Sequence, residues 1–112
     1  VLFTSRKEIS CKSEYEEFQF KKILSLFIAE IIHELRHEIG YLVSKGGITS
    51  NVILSEGFKA DIVYLEGQIM TGISVLNVNL TKINTYIPVI TFPGNIGNPD
   101  TLKKVLDILE LE

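Results

Sequence analysis

Two short runs of this chain carry residue types that can hold an anion. In the first, the apolar residues Leu42-Val43 lead through Ser44 and Lys45 into Gly46-Gly47 and on to Ile48-Thr49-Ser50. A strand that ends in paired glycines and passes into a helix exposes backbone N–H groups with little side-chain bulk, which is how a chain builds a seat for phosphate. Thr49 and Ser50 would add hydroxyls, and Lys45 a charge if the pleat directs it there. The second run repeats the form: Val89-Ile90-Thr91-Phe92 enters Pro93-Gly94-Asn95-Ile96-Gly97, and Asn98-Pro99 then opens a helix. Neither run has the spacing of a Walker motif or a dinucleotide fingerprint. In a parallel sheet the loops that follow strands emerge at one edge, so the two can face a single ligand.

A third run invites a different chemistry. His33-Glu34-Leu35-Arg36-His37 matches the string H-E-x-x-H, in which two histidines a helical turn apart bind zinc and the glutamate activates water. A helix period puts Leu24, Ile28, Ile31 and Leu35 on the core side and turns His33 and His37 away from it, alongside Glu30. There is no further histidine, and Glu56 and Asp61 are not evidently placed as a third ligand. The reading is therefore a solvated, charge-paired helix face.

Elements that would position these runs follow from periodicity. Val1–Thr4 reads as a short buried strand ahead of the polar residues 5–8, and Ser13-Glu14-Tyr15-Glu16 has capping-box spacing for a long first helix. Leu24, Phe27, Ile28, Ile31, Leu35 and Ile39 form its apolar stripe, and Gly40 ends it. A strand over Tyr41–Ser44 precedes the glycine pair, and a short helix from about Thr49 to Glu56 stops at Gly57. Ala60–Leu65 reads as a strand, Gln68–Gly72 as a loop, and Ile73–Asn79 as a half-exposed strand near an edge. Ile87–Phe92 is a last buried strand with Pro88 at its beginning. In the C-terminal helix, capped by Asn98, the stripe is Leu102, Val105, Leu106 and Leu109. Strands alternating with helices imply an α/β fold: a largely parallel or mixed sheet of about five strands flanked by helices, with glycine-rich βα loops on one edge.

Composition narrows the function classes. The chain has 112 residues, enough for one domain with a real core. Its net charge of −3 comes from interspersed acids and bases, so neither nucleic acid nor an anionic membrane is an expected partner. Cys11 is the only cysteine, which excludes an internal disulfide and fits a reducing, cytoplasmic setting. No apolar run reaches membrane-spanning length. The start at Val1 and the ending Leu111-Glu112, which resembles the remnant of an expression tag, read as boundaries of a piece of a longer protein.

Taken together, Lys45-Gly46-Gly47-Ile48-Thr49-Ser50, Leu65-Glu66-Gly67-Gln68-Ile69 and Phe92-Pro93-Gly94-Asn95-Ile96-Gly97 resemble, in order and spacing, the C-terminal nucleotide-binding domain of the four-carbon acid sugar kinases. Thr4-Ser5-Arg6 is similar to that family's Thr-Ser-Arg after a strand. The likeness thus runs over nearly the whole chain. One loop departs from it: the family often shows Pro-Gly-Val-Pro where this chain has Thr71-Gly72-Ile73-Ser74, keeping the glycine but neither proline. The resemblance implies an ATP-dependent kinase, working with Mg2+, that phosphorylates a hydroxyl of threonate, erythronate or a 2-oxo-tetronate. It places the sugar-acid substrate, an Asp-Asp motif and the catalytic base on an N-terminal half that this chain does not include. Residues 1–112 would then be the nucleotide-binding C-terminal domain, inactive alone. Carried over, the nucleotide site uses Gly46, Gly47, Thr49, Ser50, Gly94, Asn95 and Gly97, with no catalytic or metal-ligating residue. The alternatives are a non-enzymatic nucleotide- or anion-binding regulatory module and, third, a zinc hydrolase using His33, Glu34 and His37. Homo-oligomer formation stays open.

Overall fold

The computed structural model describes residues 1–5, 7–80 and 85–111, so Arg6 of the Thr-Ser-Arg run and Glu112 lie outside the described residues. Three α-helices and four strands follow in the order α1 (Glu14–Leu35), β1 (Leu42–Lys45), α2 (Gly47–Val52), a π-helical turn (Ile53–Gly57), β2 (Tyr64–Met70), β3 (Ile73–Leu80), β4 (Thr85–Phe92) and α3 (Thr101–Leu109). The sheet has four strands in the order β1-β4-β3-β2, where about five were expected. Only β1 and β4 are parallel; β4 with β3 and β3 with β2 are antiparallel, so the sheet is mixed.

Strand pleat divides the core into two layers. Val78, Leu80, Ile87 and Val89 point to one face, where Ile32 of α1 and Ile53 and Phe58 cover them. Ile73, Ile90 and Phe92 point to the other, where Val105 of α3 is fully buried among them. Each of these side chains contributes about 1.5–3 kcal/mol by leaving water.

α1 starts as its sequence says. The Ser13 hydroxyl accepts from Glu16 N–H at 3.2 Å, and the Glu16 carboxylate reaches back to Lys12 N–H at 2.9 Å. Its buried stripe matches the expected one only in part: Ile28 and Ile39 pack against the core, but Ala29 and Ile32 are the buried residues, and Phe27 and Leu35 are exposed. The cause is a close crossing. A Cβ on Gly57 would lie 3.2 Å from the Ala29 carbonyl oxygen and 3.2 Å from Ile32 Cγ2, so the side of α1 that carries the small Ala29 settles on the π turn. Gly57 is thus a contact glycine and not a helix stop. The stop comes two residues later, where Lys59 takes a left-handed φ of 55° and Ala60 N–H bonds back to the Leu54 carbonyl at 3.0 Å.

Other strand expectations shift for related reasons. Val1–Thr4 belongs to no strand and is exposed, because an apolar run becomes a strand only where a sheet edge accepts its backbone bonds. Ala60 and Val63 are buried in part by packing under the sheet, and the strand proper begins at Tyr64, running through Gln68–Met70 where a loop was expected. β3 lies inside the sheet and not at its edge. Its alternation reports how well each face is covered, which says nothing about its neighbours. Pro88 sits four residues into β4, opposite Asn77 and one residue before β1 joins at Leu42–Val89.

α3 starts at Thr101 with Asp100 as N-cap, two residues later than the expected Asn98 cap and Pro99 start, and the turn ahead of it is a reciprocal one at Asn98. Its Oδ1 accepts from Asp100 N–H at 2.9 Å, and Thr101 Oγ1 accepts from Asn98 N–H at 2.9 Å. That turn buries Thr101 and leaves Leu102, expected in the stripe, exposed. At the far end the Tyr41 hydroxyl donates to Glu110 at 3.0 Å, tying α3 to the start of β1.

Candidate functional site

β1 and β4 end side by side, with Lys45 in register with Phe92. Gly46 extends the ladder by one bond, donating from its N–H to the Phe92 carbonyl at 2.8 Å. Gly46 has φ +96° and ψ 137°, a backbone conformation open to glycine and costly for other residues, and there the chain turns from strand to helix. α2 starts at the next residue, so the N–H groups of Gly47, Ile48 and Thr49 have no partner in a preceding turn.

A cleft of about 380 Å3 opens at this edge. Gly46, Gly47 and Ser50 form one wall, and Pro93, Gly94 and Asn95 form the opposite one. Thr91 and Phe92 belong to its floor, and Gly72 with Ser74, from the turn between β2 and β3, close a third side. Among the described residues none that lines the cleft carries a charge. Lys45 stands beside it: its ammonium donates to the Gly94 carbonyl at 3.2 Å and lies 5.1 Å from the centre of the Phe92 ring. It therefore ties the tip of β1 to the second loop.

The expected site residues fall into three groups. Gly46, Gly47, Gly94 and Asn95 line the cleft. Ser50 lines it too, but its hydroxyl is buried, donates to the Gly46 carbonyl at 2.7 Å and contacts the Ser44 hydroxyl, so its single proton is already committed to holding the loop. Thr49 is half-buried in the first turn of α2, and Gly97 stands at the approach to α3; neither lines the cleft. With φ +101°, and with an added Cβ only 3.0 Å from Thr101, Gly97 is required by the start of α3.

Gly72 and Ser74 belong to the loop that the resemblance marks as departing from the family, without a role in the expected site, and Thr91 is not among the expected site residues. Gly72 has φ +80°, and a Cβ there would lie 2.8 Å from Ile96 Cδ1, so the β2–β3 turn and the second glycine loop are fitted to each other. Ser44 and Thr91 are register partners, two polar residues opposite each other in otherwise apolar strands. That signal exists in the sequence, and becomes readable only once the pairing of β1 with β4 is known.

The histidine string does not assemble a metal site. α1 ends at Leu35 and the chain turns over residues 36–38, which takes His37 off the helix. His33 does not face solvent as expected: it is half-buried, with Nδ1 donating to the Gly57 carbonyl at 3.0 Å. A hollow of about 170 Å3 beside it also contains Glu30 and Glu56, the latter paired with Lys59 at 3.1 Å. Among the described residues no three His, Cys, Asp or Glu side chains are grouped to hold a metal ion.

The sequence model of a family described as nucleotide-binding C-terminal domain matches residues 1–102. The chain belongs to that family. No protein of curated function and no solved structure matches it. A nucleotide is accordingly the ligand class to test against the cleft of this nucleotide-binding domain. Among the described residues no helix is long and apolar enough to cross a membrane.

Proposed function

We propose that this domain is the ATP-binding domain of a kinase that phosphorylates four-carbon sugar acids of the threonate, erythronate or 2-oxo-tetronate type, and that the glycine-rich βα loops at one sheet edge hold the nucleotide's phosphates. One observation carries the reading: the loops after two parallel strands line a single uncharged cleft with Lys45 at its rim. Free N–H groups of Gly47 and Ile48 on one side, and of Gly94 and Asn95 on the other, would donate to phosphate oxygens. A hydrogen bond to a charged acceptor contributes about 1.5–3 kcal/mol. Gly46, Ser44 and Ser50 hold the first loop in shape, and Thr49 and Gly97 support the two helix starts. In the transfer itself the sugar hydroxyl oxygen bonds to the γ-phosphorus, the bridging bond to the β-phosphate breaks, and a base takes the hydroxyl proton. Sugar acid and base belong, in this reading, to another domain of a longer cytoplasmic protein, so residues 1–112 bind nucleotide without turning it over.

Mg2+ fits the reading only as a companion of the nucleotide. Among the described residues no carboxylate lines the cleft, and hard cations take oxygen ligands, mostly carboxylates and water. The donor set of the described residues does not build an Mg2+ site. Calorimetric titration of the domain with ADP, with and without Mg2+, tests this directly. Binding of similar strength in both buffers is expected; heat that appears only with Mg2+ would contradict the uncharged-cleft assignment, and no heat in either would remove the phosphate seat.

A further inference from the structure

α1 carries a second apolar face. With successive residues 100° apart and Ile32 marking the direction of the core, Ile28 and Ala29 lie within about 60° of it, whereas Ile23, Phe27, Phe20, Ile31 and Leu24 fall between about 180° and 280°. No charged residue interrupts that face between positions 20 and 31. Ile23 is 65% exposed, Phe27 58% and Phe20 40%. The first turns stand clear of the domain, for within residues 14–23 only Gln19 is even half-buried. A helix apolar on opposite sides is a buried helix, and here one side has no cover among the described residues.

We propose that this face pairs with the same face of a second copy of the chain, the two α1 helices running antiparallel. Area is the first argument. An aromatic side chain presents about 150–250 Å2, so Phe20, Ile23 and Phe27 leave roughly 300 Å2 open, and Leu24, Ile31 and the flanking methylene stems bring the face to about 500–600 Å2. Two such faces bury about 1,000–1,200 Å2, the lower bound of specific interfaces, and one alone is as large as the largest apolar patch that monomers usually tolerate. The patch is also its own complement. With the two-fold axis between positions 25 and 26, Phe20 meets Ile31 of the second copy and Leu24 meets its Phe27, so aromatic and aliphatic side chains interleave in an isologous contact. The helix dipoles set the direction. Antiparallel pairing opposes the two helix dipoles, whereas a parallel pair would align them; the side-chain charges do not decide it, because Glu34 and Glu38 flank Arg36 at the end of the helix.

Sedimentation of the full chain from 1 to 200 µM tests the pairing. The expected result is a monomer–dimer equilibrium in the micromolar range, weakened at least 100-fold by Phe27→Glu and little changed by Phe18→Glu, an equally exposed phenylalanine on the same helix but off the face. Helical circular dichroism of each variant confirms folding. A wild-type chain that stays monomeric at 200 µM overturns the proposal and gives the face to another partner. Equal loss in both variants also overturns it, because non-specific sticking would then account for association. Direction is read by oxidation in a Cys11→Ser background: F20C and I31C chains should cross-link when mixed and not separately, and cross-links within either chain alone refute the antiparallel arrangement.

Discussion

Gly46 and Gly47 are neighbours in sequence, yet the structure separates their roles so far that substituting each gives opposite results. At Gly46 an added Cβ would meet little, the nearest atom being Thr49 Oγ1 at 3.9 Å, so the penalty comes from the backbone at φ +96°. Holding a non-glycine residue in such a region costs about 1–3 kcal/mol. For a domain of this size each kcal/mol shifts the melting temperature by about 4 °C, so Gly46→Ala should melt about 4–12 °C lower. Gly47 has no positive φ and nothing within 4 Å of an added Cβ, and it is the first residue of α2. Gly47→Ala should therefore leave stability unchanged or raise it by up to about 1 kcal/mol, through the restriction of the unfolded chain. The open space at Gly47 is the cleft, so the larger Gly47→Val fills ligand volume and displaces phosphate from the N–H groups behind it. Loss of one charge-assisted bond, about 1.5–3 kcal/mol, corresponds to about 10- to 150-fold weaker ADP binding. Thermal unfolding followed by circular dichroism, paired with ADP calorimetry, reads both quantities. The reasoning is refuted if Gly47→Val binds ADP as tightly as the wild type, or if Gly47→Ala melts as low as Gly46→Ala.

Three further outcomes follow from contacts described above. Gly57→Ala forces α1 away from the π turn at two 3.2 Å contacts and should destabilise by about 1–3 kcal/mol in urea titration, with ADP affinity unchanged. Gly72→Ala should be destabilising both for its φ of +80° and for the 2.8 Å approach to Ile96, and Ile96→Ala should recover the steric share, so a double-mutant cycle in thermal unfolding should show non-additivity above about 0.5 kcal/mol. The hydrogen bond to Glu110 raises the Tyr41 pKa above its ordinary 10.0. Because the folded value is the higher one, this stabilisation is complete below pH 10.0 and is lost as pH rises through the folded value. Urea midpoints of wild type and Tyr41→Phe should then differ at pH 8 and converge above the folded value.

What was readable in the sequence depended on whether a signal was local. The Ser13 cap, the turn at Asn98 two residues ahead of the true N-cap Asp100, β3 and β4 rest on spacing within a few residues, and those boundaries lie within a few positions of the expected ones. Side-chain burial on α1 was not local. The helix offers two apolar stripes, and the choice between them is made by Gly57, more than twenty residues downstream, whose missing side chain admits Ala29. His33 follows from the same crossing, since the contact that buries Ala29 also brings the Gly57 carbonyl to the imidazole. Val1–Thr4 failed as a strand because strand formation needs an accepting edge, which no property of four apolar residues can supply. In the cleft, the two loops are visible as glycine clusters, whereas Gly72 and Ser74 enter through the antiparallel β2–β3 turn, read from sequence as a loop ahead of an edge strand, and Thr91 through its pairing with Ser44 of β1.

The glycines also show which sequence signals bear on ligand binding at all. Gly46, Gly72 and Gly97 sit at positive φ, and Gly57 sits in a crossing too close for a Cβ; each is explained by the fold alone. A glycine that the backbone demands is no evidence for a ligand, even when it belongs to a motif. Gly47 and Gly94 differ from these: neither has a positive φ, and neither would bring a Cβ within 4 Å of another atom, yet both line the cleft. On stability alone, alanine at Gly47 would serve a helix start better than glycine. What glycine offers at these two positions is access to the backbone N–H from the cleft, which matters only if something is bound there. A phosphate seat is therefore supported by the two cleft-lining glycines that the fold does not need, and by Lys45, a cation beside the cleft that is held by a carbonyl and not by a carboxylate that would neutralise it.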